Sequence, residues 1–429
     1  MSSATRPPDA TAGADPVPSP LALPLAGVRV LDLTRVLAGP YCGMVLADMG
    51  ADVIKIENPD GGDESRGFLQ PDFHGHSTYF LTVNRNKRSV ALDLKADAGK
   101  AAFLALVAQA DVVIENFRTG VMERLGLGWE TLRAIRPGLV YGAISGYGRD
   151  GPNRDVPGFD PIAQAESGFM AVTGEADGSP MRTGPSLVDV MTGLFMAQGI
   201  SAALRHVALT GEGRLIEATL HETALNMLAN FAGAHLLAGV DPVRTGNRNQ
   251  VAQPADLYQA ADGALVLAAI TDGQYRGLCR AIERPELLDD PRFIGKSARL
   301  ANGAQLHVIL VGAFASVGRE ECVRRLRAQS VPSGVVASVA EALSSELVAA
   351  RGAIMDVTHP ATGGYRALRG PVRLHDSAPT PNRGAPLLGE HTREVLRDLA
   401  GLTDVQIREL EQTGVAKSAP IPRLRHNAG

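Results

Sequence analysis

Residues 27–57 read GVRVLDLTRVLAGPYCGMVLADMGADVIKIE. GVRVLDLTR is a run of branched and leucine side chains, the composition of a strand buried on both faces. RVLAGP then turns the chain, PYCGMVLADMG has the length of a short helix closed by Gly50, and ADVIKIE is a second strand-like run. A strand, helix and strand joined this tightly form a βαβ unit, whose strands run parallel. The pattern recurs in SVALDL (89–94), DAGKAAFLALVAQA (97–110), DVVIENF (111–117) and GLVYGAISGYG (138–148). The expected class is α/β, an open and mostly parallel sheet with helices on both faces. Ligands of such sheets bind beyond the C-terminal ends of the strands.

The loops following those ends supply Arg35, Lys55, Arg66, Arg85, Lys87, Arg88, Arg118 and Arg124. Taken singly, each is an ordinary surface charge. Together they suggest a site for a phosphorylated ligand, because guanidinium and ammonium groups suit phosphate oxygens. The first loop is A-G-P and not G-x-G-x-x-G, so the acid Glu57 at the end of the second strand-like run is weak support for a nicotinamide dehydrogenase.

The chain has 429 residues, a net charge of −4 and three cysteines. The charge gives no general attraction to nucleic acid or anionic membrane, and neither is expected as a partner. Cys42, Cys279 and Cys322 lie far apart and read as reduced thiols of a cytoplasmic protein. Only His74 and His76 lie close together among the histidines, so no metal site is expected. Residues 1–22, rich in Pro, Ala and small polar groups, read as a disordered tail. The apolar runs near 187–204 and 214–240 carry Asp, Glu, His and Arg, which marks them as core helices rather than membrane spans. RTGNRNQVAQPADL (244–257) has linker composition, and LYQAADGALVLAAI signals a hairpin around A-D-G. The expected divisions are 23–230 for a large domain, 231–250 for a linker, 251–335 for a small α+β domain, and 336–420 for a return segment completing the large one.

GPSLVDVMTG (184–193) places one acid, Asp189, at the apolar start of a helix. Ser186 and Asp189 have capping-box spacing, in which serine caps the helix and the acid favours its positive end.

These stretches, with NRNKRSVALDLK, ENFRTGVMERLGLGWE, SGYGRDGP and PLLGEHT, resemble the family III CoA-transferases (CaiB/BaiF type) in order and spacing from about residue 24 to 417. The resemblance implies a Rossmann-like large domain, a smaller inserted domain and an interlocked-ring homodimer. It also implies that the substrates are a coenzyme A thioester and a small carboxylate, with no permanently bound cofactor. The position of Asp189 is that of the family's nucleophile, which forms aspartyl-anhydride and aspartyl-CoA intermediates. Helix N–H groups are expected to lower its pKa and steady an oxyanion, and Gly184 and Gly193 to leave room for the thioester. Leu37 and Ala38 match backbone contacts to CoA, with Arg35 beside them. Leu92 to Lys95 matches a CoA-lining stretch. Asn116, Phe117 and Arg124 match the adenine and phosphate region, and Asp160 an acid close to the nucleophile.

Formyl-CoA:oxalate transferases carry Gln at the position of Leu37 and a glycine-rich loop that this chain lacks. The wording is closer to relatives using succinyl-CoA and a dicarboxylate such as glutarate. Two alternatives share the fold: an α-methylacyl-CoA racemase and a non-catalytic acyl-CoA binding protein. The racemase needs histidine in a G-H-D triplet, where this chain has Gly158-Phe159-Asp160 and no proton acceptor at the middle position.

Overall fold

The computed structural model describes residues 21–420; residues 1–20 of the expected tail lie outside that range. Leu21 lies inside it, and its backbone N–H donates to Asp376 O at 2.8 Å.

The large sheet has seven strands. They are β1 (Arg29–Asp32), β2 (Asp52–Glu57), β3 (Lys87–Leu92), β4 (Val112–Glu115), β5 (Val140–Ser145), β6 (Arg214–Thr219) and β7 (Ala416–Lys417). Their spatial order is β7-β3-β2-β1-β4-β5-β6, every neighbouring pair parallel except the antiparallel β7–β3. The chain reverses strand order on either side of β1, the arrangement that opens a crevice at the strands' C-terminal edge.

Alternation along the strands divides the core. Leu31 joins Phe103, Leu106, Tyr141, Val395 and Leu410 on one face. Its neighbour Val30 joins Cys42, Leu46, Met196 and Ile200 on the other. That second face is covered by helix α1 (Ala38–Asp48) and the long helix α3 (Leu187–Thr210), with α2 (Asp160–Glu166) at the start of α3. By length and composition α3 could cross a membrane. It instead packs on the sheet through Val188, Met196 and Ile200, none of them exposed.

A smaller antiparallel sheet joins Ala255–Ala260, Gly263–Ala268 and Ser333–Val335. Tyr258, Leu265, Leu278, Phe293, Leu310 and Leu326 build a separate core beside it. The run 214–240 departs from a core helix. It forms β6 and two helices, the second of which, Asn230–Ala238, buries no side chain within the chain. The expected linker from 231 therefore begins inside a helix, whose Leu236 and Leu237 are 79% and 91% exposed.

Candidate active site

Asp189 stands in the first turn of α3 and is half-buried. The capping box does not form, because the Ser186 side chain makes no cap hydrogen bond. The cap comes from another element. Asp160, 2% exposed at the start of α2, accepts the backbone N–H groups of Val188 at 2.8 Å and Asp189 at 3.1 Å on one carboxylate oxygen. The next donor, Val190 N–H, goes to Ser186 O. The start of α3 thus offers neither Asp189 nor an oxyanion the free donors expected there.

The electrostatic expectation reverses with it. Burial first, and the negative charge of Asp160 second, push the Asp189 carboxyl up to about 7. Tyr79, from the helix Thr78–Val83, faces the same acids. Burial, together with Asp189, Asp63 and Asp160, pushes its phenol up to about 12, so it remains a donor at neutral pH. Nothing in the sequence around Tyr79 signals this, because the three acids lie on three other segments.

Gln164 is fully buried one turn beyond Asp160 on α2. Its amide donates to the other Asp160 oxygen at 2.6 Å and to Thr183 Oγ1 at 3.2 Å, and accepts Thr183 N–H at 3.0 Å.

The loop between β1 and α1 is held from three sides. Asn116 accepts Arg35 N–H at 2.8 Å and donates to Arg35 O at 2.8 Å, which engages both ends of its amide with backbone. Lys55, wholly buried, donates to Thr34 O at 2.6 Å and pairs with Asp63 at 2.9 Å. Asp63 in turn accepts Val36 N–H at 3.2 Å. Between these ties Val36 is held at φ 67°, a left-handed conformation costly for a β-branched residue. Leu37 and Ala38 follow at the start of α1 with buried side chains, so only their backbone can meet a ligand. Among the described residues the N–H groups of Leu37, Ala38 and Gly39 have no hydrogen-bond partner. Of the two helices α1 and α3, it is α1 that has free opening donors among the described residues.

Gly193 locks α1 against α3, since a Cβ there would collide with Ala38 O. It serves helix contact and not thioester room. Gly184 has open space around it.

The expected basic edge is mostly neutralised. Lys87 is fully buried on Asp32 at 2.8 Å, Arg66 pairs with Glu57 at 2.7 Å, Arg85 with Asp48, and Arg88 with Asp52. Lys55 is spent on Asp63. Arg35, Arg118 and Arg124 have no carboxylate partner among the described residues. The Arg35 guanidinium lies over the Phe117 ring at 5.2 Å, and Phe117 also packs on the core. Arg149 draws off Glu115 and Glu123, which leaves exposed Arg124 unopposed. Leu92 is 1% exposed within the core, so its side chain lines no ligand surface, while Lys95 is exposed. A cavity of about 1430 Å³ is walled by Tyr41, Met44, Leu194 and residues 365–375 and 377–380, and Asp189 is not among its walls.

The profile of CoA-transferase family III matches residues 25–392. A succinate–glutarate CoA-transferase of Agrobacterium fabrum is 38% identical over 382 residues, covering 88% of this chain and 96% of the relative. A succinyl-CoA:mesaconate CoA-transferase of Haloarcula hispanica is 40% identical over 387 residues, with the same coverage of 88% and 96%. The crystal structure of a CaiB/BaiF family protein from Brucella suis superposes with a TM-score of 0.81 at 36% identity, over 88% of this chain and 100% of that one.

Proposed function

The chain belongs to CoA-transferase family III and is a CoA-transferase; from that premise we propose that it moves CoA from succinyl-CoA to a dicarboxylate, with Asp189 as the nucleophile. The single observation that carries the assignment of Asp189 is its placement. A carboxyl held near 7 by burial and by Asp160 stands one turn before Gly193, whose close approach to Ala38 O brings α3 against the start of α1, where the opening N–H groups are unpartnered. The relatives named for succinyl-CoA, glutarate and mesaconate support the substrate class.

In the proposed sequence, an Asp189 carboxylate oxygen attacks the thioester carbonyl. The C–S bond breaks, CoA leaves as thiolate, and an aspartyl–succinyl anhydride remains. The thiolate then attacks the aspartyl carbonyl, expels succinate and leaves an aspartyl-CoA thioester. The acceptor carboxylate attacks that carbonyl and releases thiolate again. The thiolate takes the acceptor's acyl carbon, which frees Asp189. A carboxylate of pKa near 7 is a better nucleophile than one near 4, and still half ionised at neutral pH. The backbone N–H groups of Leu37, Ala38 and Gly39 are suited to the oxyanion, and Arg35, Arg118 and Arg124 to the CoA phosphates. Phe159, 63% exposed beside Asp160, cannot take a proton, which disfavours the racemase reading.

We further read the chain as a cytoplasmic homodimer of two-domain subunits. The exposed Leu236, Leu237, Val240 and Val243 support a second copy covering that surface. Three buried, unpaired cysteines fit a reducing compartment. Incubation with succinyl-CoA followed by hydroxylamine and peptide mass mapping tests the mechanism. A hydroxamate on Asp189 is expected; CoA transfer with no mark there overturns the assignment.

A further inference from the structure

The segment from Thr183 to Asp189 that delivers the proposed nucleophile has little regular structure before α3 begins at Leu187. It includes Gly184, around which there is open space, and Pro185. Thr183 ties down one end through its N–H and hydroxyl, the hydroxyl also donating to Pro185 O at 2.9 Å. The N–H groups of Val188 and Asp189 tie down the other. Both ends lead to one short helix. Asp160 and Gln164, four residues apart on α2, share a helix face. Gln164 engages Thr183 with both ends of its amide while orienting the Asp160 carboxylate that caps α3. The amide can face only one way, since its NH₂ must meet the carboxylate.

We propose that Gln164 is a positioning residue for CoA transfer: it joins the two ends of the Thr183–Asp189 segment through Asp160 and so fixes where the Asp189 carboxylate stands. The inference rests on the reading of Asp189 as nucleophile. Displacing a reacting group by about 1 Å can cost on the order of 10²-fold in rate. Gln164 is fully buried and presents no surface to a substrate, so its effect belongs to kcat.

The arrangement is testable by exchanging donor and acceptor. In Asp160→Asn the new amide meets the Gln164 amide donor to donor. In Gln164→Glu two carboxylates stand where one did. The double variant restores the match with the roles reversed. The asparagine introduced at position 160 can donate to the glutamate introduced at position 164 and still accept the two N–H groups of α3. The second oxygen of that glutamate is left for Thr183. The full chain is assayed with succinyl-CoA and glutarate. Each single variant is expected to lose at least about tenfold in kcat with KM for succinyl-CoA changed less than about threefold, and the double to recover to within about threefold of the parent. Singles that keep parental kcat, or a double no better than its worse single, overturn the proposal. If Gln164→Glu does not fold, Gln164→Met supplies the kcat and KM comparison, and unchanged kcat there overturns it equally. Hydroxylamine trapping on the parent, run alongside, separates the two readings. A missing mark at Asp189 overturns the nucleophile reading and the inference with it, whereas a mark at Asp189 without the exchange rescue overturns the positioning alone.

Discussion

Asp160 accepts the backbone N–H of Asp189 on the same carboxylate that raises the Asp189 pKa. One charge therefore anchors the residue and tunes it. The acid limb of kcat/KM for the acyl-CoA donor should fall tenfold per pH unit below about 7, where Asp189 is pushed by burial and by Asp160, and level off above it. Asp160→Asn removes the repelling charge and should move that limb down by about one unit, at reduced plateau. A pH–rate series on both proteins checks it, and an unmoved limb would sink the electrostatic account.

The same shift has a stability cost. With a folded pKa of about 7 against an ordinary 3.8, the native chain holds a proton that the unfolded chain gives up. The contribution is fully present at pH 4 and below and is lost as pH rises through 7. Asp189→Asn should accordingly abolish transfer yet raise stability at pH 8 by ~2 kcal/mol, discounted for partial exposure, with little change at pH 4. Thermal melts at the two pH values measure the difference.

Lys55 and Asp63 are both fully buried and bracket the left-handed Val36. Lys55→Met leaves Asp63 uncompensated and releases Thr34 O, so a loss of about 3–5 kcal/mol is expected in urea unfolding. An effect under about 1 kcal/mol would mean that water reaches the pair.

Two glycines flanking Asp189 in the sequence should behave oppositely. A methyl at Gly193 would collide with backbone at Ala38 O, whereas Gly184 has open space. Gly193→Ala should lose at least about 1–3 kcal/mol of stability and most activity, and Gly184→Ala should retain both within small factors. Circular-dichroism melts with a transfer assay distinguish them.

Local patterns carried the framework. The strand–helix–strand unit of residues 27–57 became β1, α1 and β2, because apolar runs and a closing glycine act over short range. Asp189 stood out in GPSLVDVMTG as a lone acid at an apolar helix start, but that setting alone read as a cap, and its reading as nucleophile came from the family resemblance. The site's electrostatics were not visible. Lys87 finds Asp32 across 55 positions and Arg85 finds Asp48 across 37, so cations that read as a ligand surface are already neutralised. The capping box had the right spacing, but Asp160, 29 positions before Asp189, reaches the N–H groups instead. Gln164 and Tyr79 carry no signature, because their significance lies wholly in which segments meet them. Helix Asn230–Ala238 was hidden for a different reason: its leucines match a core pattern, yet they face outward in the single chain.

The antiparallel pairing of Ala416 with Leu92 ties the last strand to one of the first. The helices Thr392–Asp398 and Asp404–Gln412 add Val395, Leu396 and Ile407 to the same face of the sheet. During synthesis, a ribosome must release the whole stretch between Leu92 and Ala416 before that edge is closed. Until then strand Lys87–Leu92 presents unpaired peptide groups over an uncovered apolar face, the kind of edge that captures other nascent chains. The enzyme's yield in the cell thus depends on how that edge is shielded while translation continues, and loss of the final strand would be felt as aggregation before it was felt as lost catalysis.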